Sequence, residues 1–380
     1  MEVFRVLMNR ELRCMAVGAG AIGKAVSGYI FSQICGGVVF ADIAAEVLDD
    51  INTRGGYQLV SSFYGKPNEE MFVGGVSAVM LDSREAADTA AEADVICTAV
   101  GPGMSSFLPI LERWLGNPNR ADKPLYLLLF ENDFSLQKRI TEYFETHGGV
   151  PSILRIVPVS IERMAKIKCD GSRFDVMCES FIPVIVRKDD LAGSGLEESA
   201  FFQAVDKLEP YYYRKLYTNN LGHAVLGYAG ITMGCDTIIE AMAQPKVRAL
   251  LEQTLAETCL LMEKEFGFAH SDIESHRENL MLRYQNTNLA DELERLIRDP
   301  IRKLSSKERI VGAMNLCKKH GISWEGIKKT LAYALKYYLS LPESVEAAIE
   351  NIAAHVLETV CGILPDMAAH EETLELLEML

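Results

Sequence analysis

The segment Arg214-Lys215-Leu216-Tyr217-Thr218-Asn219-Asn220-Leu221-Gly222-His223 gathers an amine, a carboxamide five positions on and an imidazole eight positions on. Wound as an α-helix at about 100° per residue, Lys215, His223 and Asn220 fall within an arc of roughly 140°. One face then carries a possible base, a neutral donor and a ring that donates or accepts. Those groups suit removal of a hydroxyl proton while its oxygen is held. A free lysine, pKa about 10.4, is a poor base at neutral pH. Lowering it to about 7–8 costs the charged form roughly 4 kcal/mol, which burial and neighbouring cations can supply. The bland alternative is a solvated lysine beside two satisfied core groups.

Such a face is useful only if something holds the molecule that takes the electrons. Arg13–Val17 is a short apolar run entering Gly18-Ala19-Gly20-Ala21-Ile22-Gly23, followed by helical spacing over Lys24–Ile34 and a buried run Val38–Asp42 ending in an acid. This strand, turn, helix, strand, acid order is a dinucleotide fingerprint. Gly18 permits the tight turn, Gly20 admits the pyrophosphate, Gly23 allows close packing, and the helix N-terminus around Ala21 and Ile22 offers N–H donors. Asp42, 22 residues after Gly20, would accept from ribose hydroxyls and repel a 2′-phosphate, so NAD is expected rather than NADP. Asp94–Val100 is a further strand running into Gly101-Pro102-Gly103, and Ala99, Val100 and Gly101 fall at the carboxyl edge where ligands sit. Leu125–Phe130 ends in Glu131-Asn132-Asp133, which puts Asn132 at a strand tip near the cofactor's reactive end; an Asx turn is its alternative. Two carboxamides, Asn132 and Asn220, can stabilise a developing oxyanion without adding a titrating group.

Length and composition bound the rest. A chain of 380 residues suggests two cores. Hydrophobic and charged fractions of 49% and 24% are those of a soluble globular protein. A net charge of −15 argues against nucleic-acid or anionic-membrane partners, and any negatively charged small substrate would need a local basic cluster working against it. Arg295, Arg298, Arg302 and Lys303 form that cluster, and Pro300 should end a helix near Arg298, so Arg302 and Lys303 must fold back from a separate segment. Arginine forks match phosphate oxygens; a solvated run paired with Glu292, Glu294 and Asp299 is the alternative. Nine cysteines without a C-x-x-C pair read as reduced thiols. Seven dispersed histidines lack metal-ligand spacing, so no metal is expected. Met1–Leu12 has no long apolar run and no 18-residue apolar stretch exists, so the expected location is cytoplasmic.

Leu154–Val159 and Phe174–Val186 read as two more strands. Polar Lys188–Gly195 reads as the interdomain linker, and long helical pattern follows, with Lys246 to Gly267 and Ser344–Gly362 the clearest stretches. The expected architecture is an α/β Rossmann-type dinucleotide-binding domain over 1–190, with extra strands, and a mainly α-helical substrate domain over 191–380. A monomer or small homo-oligomer is expected.

The order GAGAIG, FADI, TAVGPG, FEN, RIVP, RKLYTNNLGH and RDPIRKLS runs over nearly the whole chain. It resembles the polyol-specific long-chain dehydrogenases, which include mannitol 2-dehydrogenase, fructuronate reductase and mannitol-1-phosphate 5-dehydrogenase. Length and Asp299–Ser305 look most like the last branch. The resemblance implies metal-independent, NAD-linked interconversion of mannitol 1-phosphate and fructose 6-phosphate. It implies Lys215 as base, Asn132 and Asn220 on the reacting oxygen, His223 on a substrate hydroxyl, and Arg295 and Lys303 on the polyol. On this reading Arg298 or Arg302 selects the phosphorylated sugar. A free polyol or a hexuronate is the alternative substrate, and a non-catalytic NAD sensor the alternative class. One departure bears on substrate: Leu154 stands where the family has an acid read as lining the site region.

Overall fold

The computed structural model describes residues 12–35, 37–120 and 123–339. Two compact units, Met1–Tyr211 and Tyr212–Leu380, divide the chain. The first contains β1 (Cys14–Val17), β2 (Val38–Asp42), β3 (Gly56–Ser62), β4 (Glu69–Gly74), β5 (Val76–Met80), β6 (Val95–Thr98), β7 (Leu125–Leu129), β8 (Leu154–Ser160), β9 (Ala165–Asp170), β10 (Arg173–Glu179), β11 (Val184–Arg187) and β12 (Phe202–Val205). An eight-stranded sheet runs β12-β11-β8-β7-β6-β1-β2-β5. Its β5, β2, β1, β6, β7 and β8 are mutually parallel, and β11 enters antiparallel to β8. Every residue of β1, β6 and β7 is buried, as a sheet covered on both faces requires, and this explains their unbroken apolar runs. The carboxyl ends of these strands share one edge. That edge carries the glycine turn, Asp42, the Gly101 turn and the segment beginning at Glu131.

The expected strands over Arg13–Val17, Val38–Asp42, Asp94–Val100, Leu125–Phe130 and Leu154–Val159 all lie in this sheet. Phe174–Val186 is not one strand. It divides into β10 and β11, in different sheets, with Pro183, which has no N–H for a ladder, just before the second. A four-stranded sheet, β4-β3-β10-β9, was not anticipated. Its edge strands β4 and β9 are largely exposed and so lack the buried apolar pattern that reveals a strand in sequence.

Lys188–Gly195 is not the domain linker. Lys188–Leu191 forms a short helix, and β12 then pairs in parallel with β11, Ile185 opposite Gln203. Phe202 of β12 packs 6.5 Å from the ring of Phe31. The boundary therefore falls at Tyr211/Tyr212 rather than 190/191, because the polar stretch is a surface connection inside the first unit.

The described part of the second unit is helical apart from one isolated bridge between Thr237 and Glu292. Pro245–Phe266 closes on Gly267 at φ +74°, as its sequence pattern indicated. Ser344–Gly362 lies outside the described residues. The helix Leu221–Thr232 is buried over most of its surface, which identifies it as the unit's central element. No helix among the described residues is long and apolar enough to cross a membrane. The eight described cysteines are free thiols, with Cys14 Sγ 3.0 Å from Cys35 Sγ.

Candidate active site

The glycine turn separates into residues the chain itself demands and one it does not. Gly18 has φ +101°, and a Cβ there would meet Ala99 O at 2.4 Å. A Cβ on Gly23 would lie 1.9 Å from Gly18 O. Gly20, by contrast, is exposed, and a Cβ added there would meet nothing within 4 Å. Its smallness serves no neighbour in the chain and leaves room for a ligand. The N–H groups of Gly20, Ala21 and Ile22 have no acceptor among the described residues, so three donors at a helix start are available to a phosphate.

Asp42 has partners within the chain itself. Its Oδ2 accepts from Ala19 N at 2.6 Å, and its Oδ1 accepts from Ile43 N at 2.7 Å and Ala44 N at 3.0 Å. The carboxylate pins the glycine turn and keeps free lone pairs for hydroxyl donors. Ala99, Val100 and Gly101 cannot offer their amides. Ala99 N donates to Val17 O at 2.8 Å, while Val100 N and Gly101 N donate to Glu131 Oε1 and Oε2 at 2.8 and 2.9 Å. Burial raises the pKa of Glu131, against the pull of those two N–H groups. Glu131, passed over in the sequence, thus ties the tip of β7 to the turn after β6. Asn132 follows it on the exposed surface. Asp133 beside it makes the Asx turn, accepting from Ser135 N at 2.9 Å.

Leu154, the departure from the family pattern, is buried at the amino end of β8, opposite Leu125. The edge that carries the glycine turn is the other end of the sheet.

In the second unit, Lys215–Asn220 is wound as a π-helix, not as the α-helix assumed from sequence; Leu221 N–H reaches Leu216 O, five residues back. The i→i+5 closure sets Asn220 about one turn above Lys215, so the two come closer to one line than the α-helical arc implies. Lys215 and Asn220 are half-buried. The two neighbouring asparagines have opposite duties. Asn219 is buried and receives the Tyr284 hydroxyl on its backbone O at 3.0 Å and on Oδ1 at 3.3 Å. Asn220 makes no side-chain hydrogen bond among the described residues. Gly222 lets Tyr284 in, since a Cβ there would lie 2.4 Å from its hydroxyl, and Tyr284 then meets His223 edge-on at 5.1 Å. Asn219 and Gly222 thereby orient the imidazole.

His223 Nε2 is shielded from solvent and has no hydrogen-bond partner among the described residues. Its pKa falls to about 3, chiefly through burial and then through Arg283, Arg309, Arg295 and Lys303. The ring is therefore neutral at physiological pH, and its unpaired nitrogen is a polar group awaiting a partner. Arg295 and Lys303 are thus close enough for their charge to act on His223. Lys303 is buried, donates to Leu296 O at 2.5 Å and has its pKa lowered to about 8 by burial, Arg309 and Arg302. Arg295 is held by Asp291, Nε to Oδ1 at 3.1 Å. Pro300 opens a separate short helix after Asp299, the one non-glycine residue with positive φ (+60°) among those described, and that kink turns Arg302 and Lys303 back. Arg302 is engaged by Asp299 at 2.7 Å and Glu308 at 2.8 Å. Arg298 is exposed. Two cations escaped the sequence reading, Arg283 and Arg309; both are buried, and no spacing relative to His223 could have announced them.

A glycine turn at the carboxyl edge of a parallel sheet, followed by a helical unit bearing lysine, carboxamide and imidazole, defines a dinucleotide-dependent oxidoreductase. Two family models match, the mannitol dehydrogenase Rossmann domain over residues 12–197 and the mannitol dehydrogenase C-terminal domain over 207–368. The chain belongs to the mannitol dehydrogenase family. A mannitol-1-phosphate 5-dehydrogenase from Brevibacillus brevis is 30% identical over 345 residues, 87% of each chain. Another from Paenarthrobacter aurescens is 29% identical over 335 residues, covering 86% of this chain and 87% of that one. Among solved structures, Pseudomonas fluorescens mannitol 2-dehydrogenase in a ternary complex with NAD and D-mannitol superposes with a TM-score of 0.67 at 15% identity, covering 97% of this chain and 94% of that one. Substrate-free D-sorbitol dehydrogenase gives 0.67 at 12% identity, covering 87% and 81%. At these identities the structures establish the shared fold.

Proposed function

We propose that this protein is an NAD-linked dehydrogenase that interconverts mannitol 1-phosphate and fructose 6-phosphate in the cytoplasm. In the reducing direction NADH, when bound, would supply the hydride to C2 of the ketose, and the Lys215 ammonium would give its proton to the oxygen of that carbon. Lys215 returns as the neutral amine, which is the base for the reverse reaction, with no metal required. Asn132 and Asn220 are the proposed carboxamide donors to the reacting oxygen, and His223, Arg295 and Lys303 hold the polyol. Gly18, Gly20, Ala21, Ile22, Gly23 and Asp42 bind NAD, with Ala99, Val100, Gly101 and Asn132 contributing at the edge.

The observation that carries this reading is the π-helical turn with Asn220 unengaged and His223 Nε2 buried without a partner among the described residues. Substrate choice rests on the relatives' names. The test is NADH oxidation with fructose 6-phosphate, fructose and fructuronate supplied separately. Preference for fructose 6-phosphate is the expected result. Turnover of fructose or fructuronate alone would shift the substrate, and turnover of none would favour a dinucleotide sensor.

A further inference from the structure

Among the cations acting on His223, Arg309 and Lys303 are buried with little carboxylate compensation among the described residues. Arg295 has Asp291, and Arg302 has Asp299 with one oxygen of Glu308. Arg309 shares what is left of Glu308, Nε to Oε2 at 3.2 Å. Its Nη1 lies 3.5 Å from the backbone O of Asn220, at the edge of hydrogen bonding. Its Nη2 makes no hydrogen bond among the described residues. Arg309 is nevertheless only 8% exposed, and Lys303 beside it has no carboxylate within ion-pair distance among the described residues. Burying cations with so little compensation is unfavourable, a penalty that an incoming dianion removes. The chain as a whole is strongly acidic, at −15, so this local excess is not a general surface property.

We infer that the Arg309 guanidinium receives the phosphate of the sugar-phosphate substrate and is the residue that selects phosphorylated over free ketoses. Arg298 and Arg302 are poorer candidates, the first exposed, the second already held by two acids. Contact with the Asn220 backbone puts Arg309 next to a residue whose carboxamide is proposed for the reacting oxygen. The inference rests on the function proposed above.

The test is steady-state reduction of fructose 6-phosphate and of fructose by wild type, Arg309→Met and Arg309→Lys, with inorganic phosphate as a competing probe and thermal melting as the control for folding. Wild type should be inhibited by inorganic phosphate competitively with fructose 6-phosphate. Arg309→Met should raise KM for fructose 6-phosphate on the order of 10- to 100-fold with little change in kcat, leave KM for fructose near its starting value, and lose phosphate inhibition. Arg309→Lys keeps the buried charge without the fork, so it tests the idea if the methionine variant does not fold; an intermediate KM is expected. Equal losses with both ketoses, or an unchanged KM for fructose 6-phosphate in a folded variant, would overturn the assignment. If wild type reduces fructose or fructuronate but never fructose 6-phosphate, the substrate reading fails; if fructose 6-phosphate is reduced and Arg309 proves indifferent, only the present inference fails.

Discussion

Among the described residues there are two π-helical turns, each six residues long, and each adjoins or carries part of the proposed machinery. Gly23–Gly28, after the glycine turn, is buried throughout. Its side chains and carbonyls are spent on the fold: Lys24 Nζ donates to Phe174 O, Ser27 Oγ donates to Gly23 O at 2.8 Å, and Lys24 O accepts the Tyr57 hydroxyl at 2.7 Å. Lys215–Asn220 has the same winding and leaves Asn220 unengaged, one turn before the unpaired His223. Irregular helix is thus not itself a mark of catalysis. What separates the two turns is the Asn220 side chain and the buried His223 Nε2 beyond it, which have no hydrogen bond among the described residues; an unpaired buried group costs about 1–3 kcal/mol and persists where a ligand completes it.

That contrast is breakable, and the largest effect should come from the second turn. Lys215→Ala should lower kcat by about 10³-fold or more, while NADH binding and the melting temperature stay close to wild type. Equal loss of cofactor binding and stability would mean that Lys215 is as structural as Lys24. Next, the paired asparagines should part company. Asn220→Ala should cost about 10²–10³ in kcat at little cost in stability, whereas Asn219→Ala, which strips Tyr284 of an acceptor, should be read mainly in denaturant midpoint.

The first turn should respond in stability and pH dependence. Lys24 is fully buried, and burial lowers its pKa to about 8, with Asp50 and Asp175 pulling the other way. Between about pH 8 and 10.5 the unfolded chain holds a proton there that the folded chain has lost, so stability rises with pH through that window. The gain from Lys24 is on the order of 3 kcal/mol, and Lys24→Met should remove it, leaving a similar rise from Lys303. Stability curves measured at pH 7.5 and 10 check this; an unchanged slope would place the Lys24 amine in contact with water. The smallest effect expected is Ser27→Ala, about 1 kcal/mol in unfolding free energy from one lost buried hydrogen bond, with NADH oxidation unaltered.

Much of the fold was legible because parallel strands buried on both faces must be apolar along their length. Hence β1, β2, β6, β7 and β8 could be read directly, and the spacing from Gly18 to Asp42 announced a dinucleotide turn. The exposed strands β4 and β9 carry no such constraint and were missed. The domain boundary was misjudged because a polar surface loop and a true linker look alike when the strand beyond, β12, is only four residues long. In the site, family pattern selected Lys215, Asn220 and His223, but residue spacing alone left even Asn219 and Asn220 indistinguishable.

By itself the sequence determined the local requirements of this protein: glycines where a side chain cannot fit, an acid after β2, and an amine, carboxamide and imidazole confined to one short segment. Only tertiary structure decided how the helix between them is wound, which asparagine is consumed by Tyr284, and which distant cations converge on His223. Local geometry follows from sterics between near neighbours, which spacing encodes. Pairing and burial depend on residues such as Tyr284 and Arg309, 61 and 86 positions away from His223, and those meetings exist only after the chain has folded.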